Sequence, residues 1–321
     1  MTVGTIAALR TSVRARSWSD VAPSGPAHGV VCLVTARAWY LSCDGRVVGM
    51  LHGPVVGCVP GGVCIEVAAL AGRAATAAGA QVIFEGDRWE FRPAVGPRWE
   101  VLRGAATSWE HRRGDAASAP AGTAGAGTRY AGSAQDPGRA MAEGMEAALA
   151  LGGRSDSAAR ARFVAVLDVL AVPAGDPGAV LDALVGFGPG LTPSGDDLLV
   201  GLLALLQARP AVCGPSNASE RLRHAVAQRL SATTPFSRYY LEHGLAGRFA
   251  AALLDARQAL LDPAVGGDHA RAFGALVSVG ATSGADLLTG MVEPLTHLAV
   301  NPGSCSANDT DWYVRTTGGA R

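Results

Sequence analysis

Gly188-Pro189-Gly190-Leu191-Thr192-Pro193-Ser194-Gly195-Asp196-Asp197-Leu198-Leu199-Val200-Gly201 is a loop running into a helix, and it sets the reading of the whole second half of the chain. The glycines and prolines end any regular element before Ser194, and an apolar run of helical character follows it. The run recurs further on as Ser283-Gly284-Ala285-Asp286-Leu287-Leu288-Thr289-Gly290. The shared pattern, S-G-x-D-L-L-x-G, points to an internal duplication with two helices packed in similar ways.

Around these two starts the sequence has a helical period. Asp136-Pro137 opens a helix carrying Met141, Met145 and Leu149, and Phe163, Val166, Leu167 and Leu170 mark another. Asp176-Pro177 opens a third and Ser194 a fourth. Asn217-x-x-Glu220 reads as a capping-box start, and Thr234-Pro235 opens the next helix. Phe249–Leu260, Ala270–Val279 and Ala285–Leu298 complete the set.

The first third reads differently. Val30–Thr35, Trp39–Cys43, Val47–Leu51, Val63–Val67, Val82–Glu85, Trp89–Arg92 and Trp99–Leu102 are short and rich in β-branched or aromatic residues. Asp44-Gly45 and Glu85-Gly86-Asp87 are hairpin turns, and Ala68–Gly79 reads as a helix between strands. The expectation is an α+β protein, with an N-terminal β-sheet or barrel domain (1–104) followed by a C-terminal α-helical domain (137–300). Between them, 105–136 is rich in Ala, Gly and Ser and reads as a linker or insertion, and 301–321 as a disordered tail.

Composition excludes several classes. The 321 residues carry 27 basic and 27 acidic side chains, with no basic stripe for nucleic acid. The longest apolar run, Leu198–Leu206, falls far short of the roughly 20 residues a membrane span needs. The start has no apolar segment behind Arg10, Arg14 and Arg16, so no signal peptide is read there and a cytoplasmic location is expected. The six cysteines form no C-x-x-C pair, which argues against a zinc site and for reduced thiols. Lysine is absent, so no Walker-type phosphate loop is possible, and no G-x-S-x-G elbow supports a hydrolase triad.

Ser-x-x-Asp is a helix-start signature, so Asp197 and Asp286 read first as caps, and Gly201 and Gly290 as close-packing positions. The Gly/Pro-rich loop says more than a cap requires. Gly188 and Gly190 let the backbone approach a ligand, and Thr192, Ser194 and Gly195 bring hydroxyls and amides to a helix N-terminus that favours an anion. Asp196 is the acid the capping box leaves unexplained; it suits a base, an amine-orienting group or a magnesium ligand. Ser283, Gly284 and Asp286 repeat the pattern, and Thr233, Thr234 and Ser237 offer further hydroxyls, with Thr234 also fitting a cap for the Pro235 helix. His52, His243, His297 and Arg238 are weaker candidates, and Cys58 and Cys64 read as core residues.

The run Gly188–Asp197 resembles the signature of the AllH-like family. Ser283-Gly284-Ala285-Asp286 and Thr233-Thr234-Pro235-Phe236-Ser237 also look familial. That resemblance implies a subunit of a bacterial oxamate carbamoyltransferase of allantoin breakdown, working with other subunits. It implies transfer from carbamoyl phosphate to oxamate, giving oxalurate and phosphate. Asp196 and Asp197 would then be the catalytic pair. Gly188, Gly190, Thr192, Ser194, Gly195, Thr233, Thr234, Ser237, Ser283, Gly284 and Asp286 would bind the anionic substrate. No cofactor beyond a magnesium ion is expected. The rival readings are a non-catalytic anion-binding or assembly subunit and a magnesium-dependent phosphoryl-transfer enzyme.

Overall fold

The computed structural model describes residues 4–7, 10–13, 27–53, 59–86, 88–102, 107–110, 150, 155–208, 217–261 and 269–300. The architecture is α+β, with an N-terminal curled sheet and a C-terminal helical region. The described residues fall into two compact units. One comprises those of 1–111 with Arg238–His243 and Arg248–Ala252, and the other comprises the rest.

The first unit is a ten-stranded sheet in the order β1-β9-β8-β7-β3-β4-β5-β6-β2-β10. Its strands are β1 (Gly4–Ala7), β2 (Arg10–Val13), β3 (Ala27–Val34), β4 (Ala38–Cys43), β5 (Arg46–His52), β6 (Gly62–Cys64), β7 (Gln81–Glu85), β8 (Arg88–Arg92), β9 (Trp99–Leu102) and β10 (Thr107–Glu110). The seven strands from β3 to β9 curl into a half-barrel. Asp44 and Gly45 both take positive φ, which gives the β4–β5 hairpin a turn whose twist matches its strands. Alternation along the strands sends Trp39, Leu41, Leu51, Val82, Phe84, Trp89, Phe91, Trp99 and Val101 to one buried cluster. There Phe91 and Trp99 stack with centroids 3.8 Å apart, and Trp39 meets Trp99 edge-on at 5.6 Å. Helices α1 (Val67–Ala71) and α2 (Ala74–Ala77) add Leu70 and Ala77 to the cluster.

Two expectations change here. Thr107–Glu110, inside the stretch read as a linker, is a strand paired in parallel with β2. The Ala/Gly composition averaged over 105–136 hid a short segment with two good strand formers, Thr107 and Trp109. The segment 238–252, read as wholly part of the helical domain, contributes in part to the first unit. Tyr239 donates its hydroxyl proton to the Pro60 carbonyl, and the Tyr40 and Tyr240 hydroxyls lie 3.2 Å apart. The helix expected from Pro137, the remainder of 105–136, the tail from Asn301, and Cys58, Cys213 and Cys305 lie outside the described residues.

The second unit is helical. Its helices are α3 (Ser157–Ala171), α4 (Gly178–Asp182), α5 (Ser194–Ala208), α6 (Ala218–Ala227), α7 (Pro235–Leu245), α8 (Ala251–Leu261), α9 (His269–Val277) and α10 (Ser283–Val300), with Arg238–His243 of α7 and the first two residues of α8 belonging to the first unit. Asp156 caps α3, its carboxylate accepting from the Ala158 and Ala159 amides at 2.8 and 3.2 Å. Thr234 caps α7, accepting from the Ser237 amide at 3.1 Å. The capping box expected at Asn217 does not form: its side chain makes no cap hydrogen bond, because the residue itself has helical dihedrals. Helix α5 is buried from Ser194 through Leu206, the mark of a central helix. Among the described residues no helix is long and apolar enough to cross a membrane.

Helices α5 and α10 cross at their glycines. A Cβ on Gly201 would stand 2.2 Å from the Leu287 carbonyl oxygen, and one on Gly290 would stand 2.1 Å from that of Leu198. Leu198 and Leu287 are equivalent positions of the repeated pattern, as are Gly201 and Gly290. The contact is therefore reciprocal, as two copies of one motif packed about a local two-fold axis would give.

Candidate functional site

The two motif starts are built alike. Before α5, Gly188 takes φ +120° and lies against the Ser194 amide; before α10, Gly280 takes φ +66° and lies against the Ser283 hydroxyl. A β-carbon at either position would strain the backbone. Gly195 sits against the carbonyl of Leu184, and Gly284 against that of Leu276, with room for a hydrogen only. Each of these glycines also spends its amide: Gly195 donates to the Phe187 carbonyl at 2.9 Å and Gly284 to the Val279 carbonyl at 3.0 Å. Neither amide is open to an anion, contrary to the expectation of a free helix N-terminus. The first turn of α5 hangs from Pro193, whose carbonyl accepts from the Asp196 and Asp197 amides. Ser194 and Ser283 are the first helical residues, one place inside the cap that the Ser-x-x-Asp reading assigned to them.

Asp196, the acid without an expected structural role, has one. One of its oxygens accepts from the Gly186 amide at 2.9 Å and the other from the Thr233 hydroxyl. The side chain is buried and ties the start of the glycine loop to the turn before α7. Burial raises its pKa, against the Thr233, Gly186 and Ser237 groups that favour its charge. The Thr234 hydroxyl donates to the Leu191 carbonyl, pinning the other end of the same loop. Thr233, Thr234 and Ser237 are thus brought to the signature loop.

Asp197 and Asp286 lie deeper, and each faces the other motif. The Ser283 and Thr192 hydroxyls stabilise the charge of Asp197, and those of Ser155, Ser194 and Thr282 do the same for Asp286. Thr192 and Ser283 hydroxyl oxygens are 2.8 Å apart, and Ser155 donates to Asp286 Oδ1 at 2.5 Å. Against these groups stand burial and mutual repulsion. Burial is the largest influence on both carboxyls. It pushes the pKa of Asp197 well above the usual range, with further upward pressure from the nearby Asp286, and it raises that of Asp286. One oxygen of each remains without a hydrogen-bond partner, Asp197 Oδ2 and Asp286 Oδ2. Unpaired buried polar atoms are costly, so two at equivalent places of the two motifs call for an explanation.

Ser155 and Thr282 were missed in the sequence. Ser155 lies far from either motif in the chain, with only its place beside the Asp156 cap to mark it, and Thr282 precedes the quoted pattern by one residue. Gly190 takes φ +98° at an exposed tip with nothing near it. Among the described residues no group of three or more His, Cys, Asp or Glu side chains is placed to share a metal ion. His52 is buried in the sheet unit, its ring Nδ1 2.9 Å from the Gly53 carbonyl, and burial lowers its pKa. His243 lies in that unit against Tyr239, and His297 pairs with Asp168 in the helical unit at 3.2 Å. None of the three histidines belongs to the motif cluster.

A family model described as oxamate carbamoyltransferase subunit AllH matches residues 184–295. That stretch begins at the residue whose carbonyl seats Gly195 and contains both motifs and the 233–237 segment. The family resemblance read from the signature is borne out over this stretch. No curated protein and no solved structure matches the chain.

Proposed function

We propose that this chain is a subunit of an oxamate carbamoyltransferase, in which carbamoyl phosphate and oxamate give oxalurate and phosphate. One observation carries the reading. Within the stretch matched by the family, 184–295, the buried carboxyls of Asp197 and Asp286 lie among the hydroxyls of Thr192, Ser194, Thr282 and Ser283, with Ser155 added from outside it. In the reaction the oxamate nitrogen forms a bond to the carbamoyl carbon, the carbon–phosphate oxygen bond breaks, and the nitrogen gives up a proton. Such a transfer depends on orientation and charge stabilisation more than on a nucleophilic side chain. In this reading Asp197 and Asp286 meet the nitrogen side. Asp196 supports them by holding the loop. Gly190 is exposed and Thr192 and Ser283 are half-buried, and in this reading an anionic end of the substrate enters on their side. A subunit implies other carbamoyltransferase subunits as partners. A cytoplasmic place in allantoin nitrogen breakdown goes with that reading.

The test is reconstitution with the partner subunits, following oxalurate and phosphate together. Equimolar production that needs this chain supports the proposal. Full turnover by the partners alone removes its catalytic share. A requirement for the chain that survives loss of both Asp197 and Asp286 would favour the second reading, an assembly or metabolite-binding subunit, for which the engaged Gly195 and Gly284 amides speak.

A further inference from the structure

We infer that Asp197 and Asp286 together form a subsite for a primary amide or carbamoyl –NH2 group, one N–H donated to an oxygen of each. This deepens the carbamoyl-transfer reading and rests on it for the identity of the ligand. The argument begins with the orphan atoms. Asp197 is 5 % exposed and Asp286 0 %, yet Oδ2 of each lacks a hydrogen-bond partner. A carboxyl group keeps an accepting oxygen whether or not it is ionised, so each acid can take one N–H donor. The two acids sit at equivalent positions of a duplicated motif.

The symmetry narrows the ligand. Ser194 stands by Asp286 and Ser283 by Asp197, while Gly201 and Gly290 exchange contacts with Leu287 and Leu198. The two carboxyls are related by the same exchange and lie close enough to repel. A planar –NH2 carries two N–H groups, one on either side of its C–N bond, and so has one donor for each of the two acids. A carboxylate or phosphate has no donor to offer and would add negative charge to two acids. A methyl group has neither. Ser155 fixes the other oxygen of Asp286, so that carboxyl is held in one orientation before any ligand arrives.

Oxamate and pyruvate separate these possibilities, since they share charge and shape and differ in –NH2 against –CH3. Calorimetry on the full chain should show oxamate binding at least about tenfold tighter than pyruvate, the scale expected when a site built for N–H donors meets an analogue lacking them. D197N and D286N should each weaken oxamate about tenfold and leave pyruvate unchanged. Equal affinities for the two acids, absence of oxamate binding, or variants that bind oxamate as the wild type does would each overturn the subsite. Should a variant fail to fold, the wild-type pair of titrations decides alone. The reaction is judged separately: normal carbamoyl transfer by both variants in the assembled enzyme rejects the subsite and keeps the reaction. Oxamate selectivity without any transfer keeps the subsite and rejects the reaction.

Discussion

The carboxyl of Asp197 faces Ser283, the first residue of the other motif, and Asp286 in turn faces Ser194. Within a single helix, Ser-x-x-Asp would close on itself as a cap. Here the pairing is exchanged between the two copies. The exchange requires α5 and α10 to approach closely, and Gly201 and Gly290 permit it.

Replacing either crossing glycine by alanine therefore tests the arrangement directly. The new Cβ would meet backbone oxygen at 2.2 Å in G201A and 2.1 Å in G290A, and backbone cannot swing aside as a side chain would. Each substitution is expected to cost about 2–3 kcal/mol in denaturant unfolding, the upper range for overpacking. The double variant should cost less than the sum, since both relieve the clash by separating the same two helices. A Cβ on Gly274 in α9 would point into open space, so G274A should stabilise by up to about 1 kcal/mol through helix propensity.

Seven of the ten strands, β3 to β9, and nearly every described helix were legible because alternation and helical period report which side of an element is buried, whereas β1 and β2 were not read as strands and β10 lay inside the stretch read as a linker. Trp39, Leu41 and Leu51 show this in the sheet, as Phe163, Val166 and Leu170 do in α3. The duplicated motif was legible as a repeat. What its aspartates do was not, because a local pattern favours a local partner, and the partners of Asp197 and Asp286 come from the other copy. Asp196 shows the converse. Its spacing left it without a local role, so it read as catalytic, yet the fold gives it Gly186 and Thr233, ten and more residues away in sequence.

Asp196 is accordingly expected to matter for the loop before it matters for turnover. D196N could keep both contacts, its oxygen on the Gly186 amide and its –NH2 donating to the Thr233 hydroxyl, so the test is D196A, which removes both acceptors. The expected loss is about 1–3 kcal/mol. T233V removes the hydroxyl while leaving the carboxylate in place, and should cost about the same for the buried oxygen left unpaired. Both variants should be cleaved faster than wild type near the exposed Leu191 in limited proteolysis. An unchanged cleavage rate with lost turnover would instead return Asp196 to a direct chemical role.

The helix starts give a paired test of capping. D156A removes the acceptor of two α3 amides and should destabilise by about 1 kcal/mol. N217A, at the start of α6, removes a side chain that makes no cap hydrogen bond, and should lie within about 0.5 kcal/mol of wild type. Thermal melts of the two variants side by side check the contrast.

The last expectation concerns pH. Burial raises the pKa of Asp197 in the folded protein well above its value in the unfolded chain, roughly 3.9. Between those two values the folded state binds more protons than the unfolded one, so stability falls as pH rises. The contribution is whole below the unfolded pKa and is lost as pH climbs through the folded one. Asparagine resembles the protonated acid and cannot ionise, so D197N should lack this slope. Plotted against pH, the stability of D197N minus that of wild type should rise from about pH 4 upward, as read from denaturant midpoints at several pH values. A difference that stayed flat over that range would show Asp197 ionising as freely in the fold as outside it, which its burial beside Asp286 forbids.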